Sequence, residues 1–210
     1  MDTRRQARRY STRFVNGKGE IKLALGIDIS ENNKFTEWDA LKDAGVEFVI
    51  IRAGYGQGNL DSWFYDSVRH VQELGLRMGA YWFSYALDVD AARREGAYCR
   101  DIIDKTGALF DLPIFYDQED SDWRYDHDYD HGLATAQCDA FAEGLGLNTG
   151  VYANQSWFTQ HMDYDYLASK YTIWLAQYAP EPELACGIWQ YSARGTIGGN
   201  YPIDLNTAQF

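Results

Sequence analysis

The stretch from Pro113 to Glu119, PIFYDQE, is a short run of β-forming residues that ends in two carboxylates. Its apolar and aromatic residues lie between a proline and an acidic, turn-rich segment, which is the pattern of a buried parallel strand. Side chains two positions apart on a strand lie on the same face, about 6 to 7 Å apart at the backbone. Asp117 and Glu119 would therefore project into one site.

Two carboxylates in one pocket shift each other's pKa, so that the less solvated group keeps its proton while the other stays charged. This is the combination that a glycosidase needs. The alternative is a strand that runs into a solvated acidic loop, because further aspartates follow it. They are Asp120, Asp122, Asp126, Asp128 and Asp130. The pattern of the remaining chain distinguishes these two interpretations.

Similar apolar runs recur along the chain and alternate with segments of helical periodicity. Eight runs have the composition of strands, at 23–29, 46–53, 78–85, 113–117, 150–153, 171–176, 187–191 and 202–205. The first five are each followed by a predicted helix, at 35–44, 62–74, 89–104, 133–145 and 156–162. The last three follow one another through short connections. Helix 35–44 is expected to begin at Thr36 as N-cap and to end at Gly45.

Repeated strand–helix units imply a parallel sheet with right-handed crossovers. Eight strands suggest a barrel, although 210 residues are fewer than the roughly 250 that eight full units normally need. We therefore predict an α/β fold in residues 23–210, a flattened, incomplete TIM-like (β/α)5(β)3 barrel. A doubly wound open sheet is the alternative.

Functional side chains of such a barrel gather at the C-terminal ends of its strands. Asp28 lies near the end of the first strand, Asp117 and Glu119 end the fourth, and Asp204 lies at the end of the eighth. The first and last strands become neighbours when a barrel closes, so Asp28 and Asp204 should meet. Four carboxylates at one end of the barrel repel one another unless they share protons or hydrogen bonds. Their convergence therefore favours a functional explanation over chance.

Residues 1–22 differ in charge from the rest of the chain. They carry a net charge of +5, which leaves −17 on the remainder. We expect them to form a basic, flexible leader or arm, separate from the barrel. The leader has no apolar signal-peptide core, and no apolar run is long enough to span a membrane. We expect synthesis without a signal peptide, no membrane insertion and, because the main part is acidic, no nucleic-acid partner.

Metal and disulfide chemistry find little support in the sequence. The three cysteines are far apart and form no Cys-x-x-Cys pair, and Cys99 and Cys138 fall in helical patterns as predicted buried thiols. The insertion at 120–131 is rich in Asp and contains two His, but it has neither a calcium-loop nor a zinc-helix motif. We predict a solvated loop there, and no metal or cofactor.

Short motifs in register along residues 24–206 resemble those of the glycoside hydrolase family 25 lysozymes, the Ch-type muramidases of phage endolysins, bacterial autolysins and fungi. The motifs are GIDIS at Gly26, FVIIRAGYG at Phe48, GAYWFSY at Gly79, IFYDQE at Ile114, GVYAN at Gly150, WLAQY at Trp174, WQY at Trp189 and IDLN at Ile203. One departure is Trp82, where many relatives carry His, which bears on the details of a sugar subsite.

The resemblance implies hydrolysis of the β-1,4 bond between N-acetylmuramic acid and N-acetylglucosamine in bacterial cell-wall peptidoglycan, after release or export of the protein. Glu119 would be the general acid, with Asp117, Asp28 and Asp204 around the anomeric carbon. The substrate's own acetamide oxygen could attack that carbon while an ionised Asp stabilises the developing positive charge. Attack by an Asp or by water stays open.

Two other functions remain open, a barrel glycosidase acting on chitin-like polymers and a non-catalytic wall-binding barrel. The sequence does not distinguish a phage lysin from a bacterial autolysin, and we expect a monomer. An aromatic content of 16% is typical of sugar-binding surfaces. Predicted sugar contacts at or just after strand ends are Tyr81, Tyr152, Trp174, Tyr178, Gln190 and Tyr191; the alternative for each is a place in the barrel interior or beneath a helix. Arg52 is also a predicted substrate-binding residue, and its guanidinium is expected to pair with the acidic cluster rather than with a loop carbonyl.

Overall fold

The computed structural model describes residues 23–119, 131–199 and 202–209. Strands and helices alternate along these residues. They are β1 Ala24–Ile29, α1 Trp38–Ala44, β2 Val46–Tyr55, β3 Asn59–Leu60, α2 Phe64–Leu74, β4 Arg77–Phe83, α3 Val89–Asp104, β5 Ile114–Asp117, α4 His131–Leu145, β6 Thr149–Asn154, α5 Gln155–Gln160, α6 Tyr164–Lys170, β7 Thr172–Ala176, β8 Ile188–Gly195 and β9 Ile203–Ala208.

Eight of the described strands close into a barrel in the order β1, β2, β4, β5, β6, β7, β8, β9, and β9 pairs with β1. The short β3 folds back antiparallel on β2. A helix follows each of the first five barrel strands, and among the described residues none separates β7 from β8 or β8 from β9. The predicted α/β barrel is confirmed, and the open-sheet alternative is wrong.

The direction of β9 differs from the prediction. This strand is antiparallel to both β1 and β8, because the short connection after β8 is enough for a reversal but too short for the crossover that a parallel partner requires. Asp204 therefore lies near the start of its strand and not at the end. The reversal still places it at the barrel end where β1 to β8 terminate.

The barrel interior is filled with rings below this mouth. Phe48, Phe115, Tyr152 and Trp174 belong to one buried cluster inside the strands. Glycine supplies the space for two of these rings, since a Cβ on Gly26 would lie 2.2 Å from Phe48 and one on Gly150 would lie 2.3 Å from Phe115. The interior is thus a packed aromatic plug, and polar chemistry is confined to the mouth.

A second apolar layer lies between the barrel and the helices. Helices α3 and α4 approach closely through glycines, because a Cβ on Gly144 would lie 2.0 Å from the carbonyl oxygen of Arg93. Cys99 and Cys138 are fully buried in this layer, as predicted. Trp82 also lies there, packed over Gly54. The departure at Trp82 therefore alters the outer core, and the expectation that it affects a sugar subsite is wrong.

Several element boundaries follow from local capping. Helices α1 and α2 end at Gly45 and Gly75, whose positive φ angles of 79° and 64° are readily adopted by glycine. The start of α1 was predicted three residues too early, and its N-cap is Glu37, without a side-chain capping bond, instead of Thr36.

The prediction for the leader at 1–22 lies outside the described residues, and so does that for the insertion at 120–131 except at His131, which begins α4. In the part of the chain that the structure describes, no helix is long and apolar enough to cross a membrane.

Candidate active site

A cavity of about 380 Å³ opens at the barrel mouth, and all four predicted acids line it. Asp28 and Asp117 are buried, with 5% and 4% exposure, whereas Glu119 and Asp204 are partly exposed. Another cavity, of about 340 Å³, lies beneath the connection between β7 and β8 and contains a single carboxylate, Glu183. The mouth cavity is therefore the candidate active site.

Gln118 fixes the two acids on either side of it. Its side chain is fully buried and donates from Nε2 to Gln137 Oε1 of α4 at 2.8 Å. Its backbone N–H continues the sheet by donating to the Tyr152 carbonyl at 3.1 Å. Because neighbouring side chains on an extended chain point in opposite directions, anchoring Gln118 on the helix side turns Asp117 and Glu119 into the cavity. The alternating D-Q-E pattern was the sequence signal for this role.

Asp28 is held by two amides. Gln190 Nε2 and Asn206 Nδ2 both donate to its Oδ2, at 2.9 and 2.7 Å. Burial raises the pKa of Asp28 to about 6, although the bonds from Asn206 and Gln190 act in the opposite direction. Asn206 was not among the predicted site residues, although it is the last residue of the motif IDLN.

Asp204 lies directly opposite Asp28 in the pairing of β1 with β9, so the two acids meet as barrel closure predicted. Burial raises the pKa of Asp204 to about 8, and the negative charge of Asp28, the hydrogen bond to it and the charge of Glu119 act in the same direction. Two carboxyl groups this close cannot both be ionised without strong repulsion. Burial and mutual repulsion therefore favour a state in which the pair holds one proton.

The predicted sugar contacts divide into a floor and a rim. Tyr81, Tyr152 and Trp174 line the cavity, and the Trp174 ring is packed edge-on against Tyr152 at 4.5 Å between centroids. Trp174 is 1% exposed, so this group forms the floor, whereas Tyr178 is 64% exposed at the rim. Tyr191 packs against Trp189 in the outer layer and does not line the cavity.

Arg52 lines the cavity but does not pair with the four acids. Its guanidinium binds Asp61 Oδ2 from Nε at 2.7 Å and Glu31 Oε1 from Nη2 at 3.1 Å. It also lies over the Tyr55 ring, 5.1 Å from the centroid. The predicted pairing is therefore wrong, because two carboxylates from the loops after β1 and β3 reach the guanidinium.

The turn after β1 forms one wall of the cavity and was missed at the sequence level. Ser30, Asn32 and Asn33 line this wall, and the turn is closed by the Ser30 N–H donating to Asn33 Oδ1 at 2.9 Å. Lys34 adopts a φ of 44°, a left-handed conformation whose cost is of order 1 kcal/mol for a side-chain-bearing residue. Its position beside the cavity is typical of a functional turn.

No group of three or more His, Cys, Asp or Glu side chains is arranged for a metal ion within residues 23–119, 131–199 and 202–209. Paired carboxylates above an aromatic floor at the C-terminal mouth of a barrel are the arrangement expected of a carbohydrate-cleaving barrel. The sequence profile of Glycosyl hydrolases family 25 matches residues 27–200. The chain belongs to this family.

Known relatives agree with this assignment. The chain is 27% identical over 205 residues to lysozyme M1 of Streptomyces globisporus, covering 87% of this chain and 66% of that protein. Its fold is similar to the modular autolysin LytC from Streptococcus pneumoniae, with a TM-score of 0.78 and 21% identity over 88% of this chain and 46% of that one. A family 25 glycosyl hydrolase from Bacillus anthracis matches with a TM-score of 0.70 and 21% identity over 94% and 92% of the two chains.

Proposed function

We propose that this protein is a peptidoglycan muramidase, which hydrolyses the β-1,4 bond between N-acetylmuramic acid and N-acetylglucosamine. The observation that carries the proposal is the placement of Asp117 and Glu119 together in a cavity that also contains Asp28 and Asp204. Membership of glycosyl hydrolases family 25 and the likeness to lysozyme M1 support the same substrate class.

Glu119 is the general acid in this proposal. It lies on the cavity wall and is partly exposed, so its carboxyl group can reach the oxygen that links two sugar units. As that C–O bond breaks, the leaving oxygen takes the Glu119 proton, and the carboxylate that remains can later accept a proton from water. Assistance of this kind typically accelerates a reaction by roughly 10² to 10⁴.

The nucleophile in this proposal is the acetamide oxygen of the substrate. It forms a bond to the anomeric carbon while the bond to the leaving oxygen breaks, which gives an oxazolinium-like ring with a positive charge. Water then attacks the anomeric carbon and the ring opens. Asp117, 4% exposed, stabilises the positive ring because its carboxylate is poorly screened by solvent.

The cavity walls bind the sugars in this scheme. Tyr178, exposed at the rim, offers a ring on which the apolar face of a sugar can stack, whereas Tyr81, Tyr152 and Trp174 form a floor that excludes water. Gln190 and Arg52 also line the cavity, and in this scheme they contribute to substrate binding as well as holding neighbouring side chains in place. Bacterial cell-wall peptidoglycan is thus the proposed partner, reached after release or export, and the proposed acting species is a monomer with residues 1–22 as a separate arm.

The test is to incubate the protein with purified cell walls and to identify the new reducing ends. Muramic acid at these ends is the expected result, whereas glucosamine ends or new amino termini would overturn the proposal. Chitin oligosaccharides should not be cleaved at a comparable rate. Glu119→Gln keeps the shape of the side chain but removes the proton, so lysis should fall roughly 10²- to 10⁴-fold. Glu73→Gln, on the exposed face of α2, is the matched control and should retain activity.

A further inference from the structure

Two amide groups donate to one oxygen of the buried Asp28 carboxylate. Gln190 and Asn206 are 3% and 0% exposed, and each directs an N–H at Asp28 Oδ2, at 2.9 and 2.7 Å. They come from β8 and β9, so the arrangement depends on the register of strands on one side of the barrel. We call Gln190 and Asn206 the amide cradle.

The orientation of each amide is fixed by groups behind it. Trp174 Nε1 can only donate a hydrogen bond, and it donates to Asn206 Oδ1 at 2.8 Å. The Asn206 nitrogen must therefore face Asp28. Gln190 Oε1 receives the hydroxyls of Tyr152 at 3.1 Å and Tyr178 at 3.2 Å, which leaves its Nε2 for Asp28 Oδ2 in the same way.

Two fixed N–H donors favour an unprotonated oxygen, since a proton on Asp28 Oδ2 would face two other protons. They lower the free energy of the charged form of Asp28 specifically. Asp204 pairs with Asp28 across the strands and receives no bond from the amide cradle among the described contacts. The two members of the pair are therefore chemically unequal, although both are aspartates.

We propose that Gln190 and Asn206 are positioning residues that place the shared proton on Asp204. In the active form of the site, Asp28 is then charged and Asp204 is neutral. The catalytic meaning of this asymmetry rests on the proposed muramidase function. A charged Asp28 adds to the negative potential that stabilises a positive intermediate. A neutral Asp204 prevents a further charge from repelling the carboxylates that carry the chemistry.

Other titratable groups face the pair from the surrounding strands, and any pH dependence includes them. They are Tyr81, Tyr152 and Tyr178, together with Asp117 and Glu119, and Arg52 acts on Tyr81. Burial raises the pKa of each of these three tyrosines above its ordinary value. The tyrosines accordingly stay neutral where the aspartate pair titrates, and the pH response there comes from the carboxyl groups.

The test is a carboxyl-carbon NMR titration of the free protein with labelled aspartate, assigned with Asp28→Asn and Asp204→Asn. The pKa of Asp28 should lie below that of Asp204. Gln190→Met removes one donor at similar size, and it should raise the pKa of Asp28 by about one unit, the effect of losing one hydrogen bond to a charged group. Tyr178→Phe, at the exposed rim, should raise the pKa of Asp28 by a smaller amount, because this substitution removes only one of the hydroxyl groups that orient Gln190.

Thr207→Val is the control, since Thr207 neighbours Asn206 on β9 but faces the other side of the strand; it should leave both pKa values unchanged. The proposal is overturned if Asp28 titrates above Asp204, or if neither Gln190→Met nor Tyr178→Phe moves the Asp28 titration. Because the titration needs no substrate, a failure of the muramidase assignment is read separately, from the products of cell-wall digestion. If the enzyme is active, the acid limb of its pH–rate profile should move to higher pH in Gln190→Met, in parallel with the pKa of Asp28 measured by NMR.

Discussion

Replacing Asp117 with Asn tests the proposed nucleophile most directly. The substitution keeps the size of a side chain that is 4% exposed and removes only its charge. A unit charge about 4 Å from a developing positive charge, at an effective dielectric constant of about 20, contributes about 4 kcal/mol. Because about 1.4 kcal/mol is a factor of ten in rate, kcat/KM should fall roughly 10³-fold with the fold unchanged.

The assay is hydrolysis of soluble peptidoglycan fragments by Asp117→Asn, with and without azide. If the acetamide is the nucleophile, azide should not restore activity through an inverted glycosyl azide, because the carboxylate was never the attacking group. Asp101→Asn, an exposed change on α3, is the control. Two results would refute this reasoning: a glycosyl ester trapped on Asp117 of the unsubstituted protein, or a loss of kcat/KM below about tenfold in Asp117→Asn. The muramidase assignment would still be tested separately, by its products.

Three further predictions concern Arg52, Asp204 and the leader at residues 1–22. Arg52→Met leaves Asp61, 1% exposed, without its cation, so denaturant unfolding should show a loss of about 3 to 5 kcal/mol; a loss as small as that of exposed Arg69→Met would contradict the structural role of Arg52. Because the pKa of Asp204 is raised from 3.8 to about 8, the folded protein binds a proton there that the unfolded chain has lost, and its stability should fall as the pH rises from about 4 to 8. Asp204→Asn should flatten that fall, and an unchanged slope would count against the raised pKa. Deletion of residues 1–22 should leave the melting temperature and the cleavage of soluble fragments nearly unchanged, whereas a large drop in melting temperature would show that the arm is packed on the barrel.

The sequence predicted the barrel because each strand carries its own local signal. Apolar runs such as VEFVIIRA at Val46 need no partner to be identified, and glycines such as Gly45 mark helix ends through their backbone freedom. The meeting of Asp28 with Asp204 followed from closure alone. The direction of β9 was missed because an apolar run does not show whether the strand is parallel or antiparallel to its neighbours. Only the short connection after β8 determined that direction.

The parts of the site that were missed depend on contacts between distant segments. Arg52 was assigned to the wrong acids because its true partner, Asp61, lies in a loop without periodicity. The sequence around Asp61 does not show that this carboxylate is buried, with 1% exposure. The amide cradle needs the register of β9 against β1 and β8, which motif spacing cannot supply. Gln190 was predicted as a sugar contact, and it does line the cavity. Its hydrogen bonds to Tyr152, Tyr178 and Asp28 could not be predicted from the sequence.

The choice of partners around the acids explains how the mouth can remain negative. A buried carboxylate needs hydrogen-bond donors, and an Arg or Lys would supply them but would also cancel its charge. Asp28 receives its donors from two neutral amides instead. Arg52, the cation among the described side chains that line the cavity, is already neutralised by Asp61 and Glu31. The amide donors carry no charge, and the charge of Arg52 is cancelled outside the acidic cluster. The negative potential of the acids therefore remains available to stabilise a positively charged intermediate.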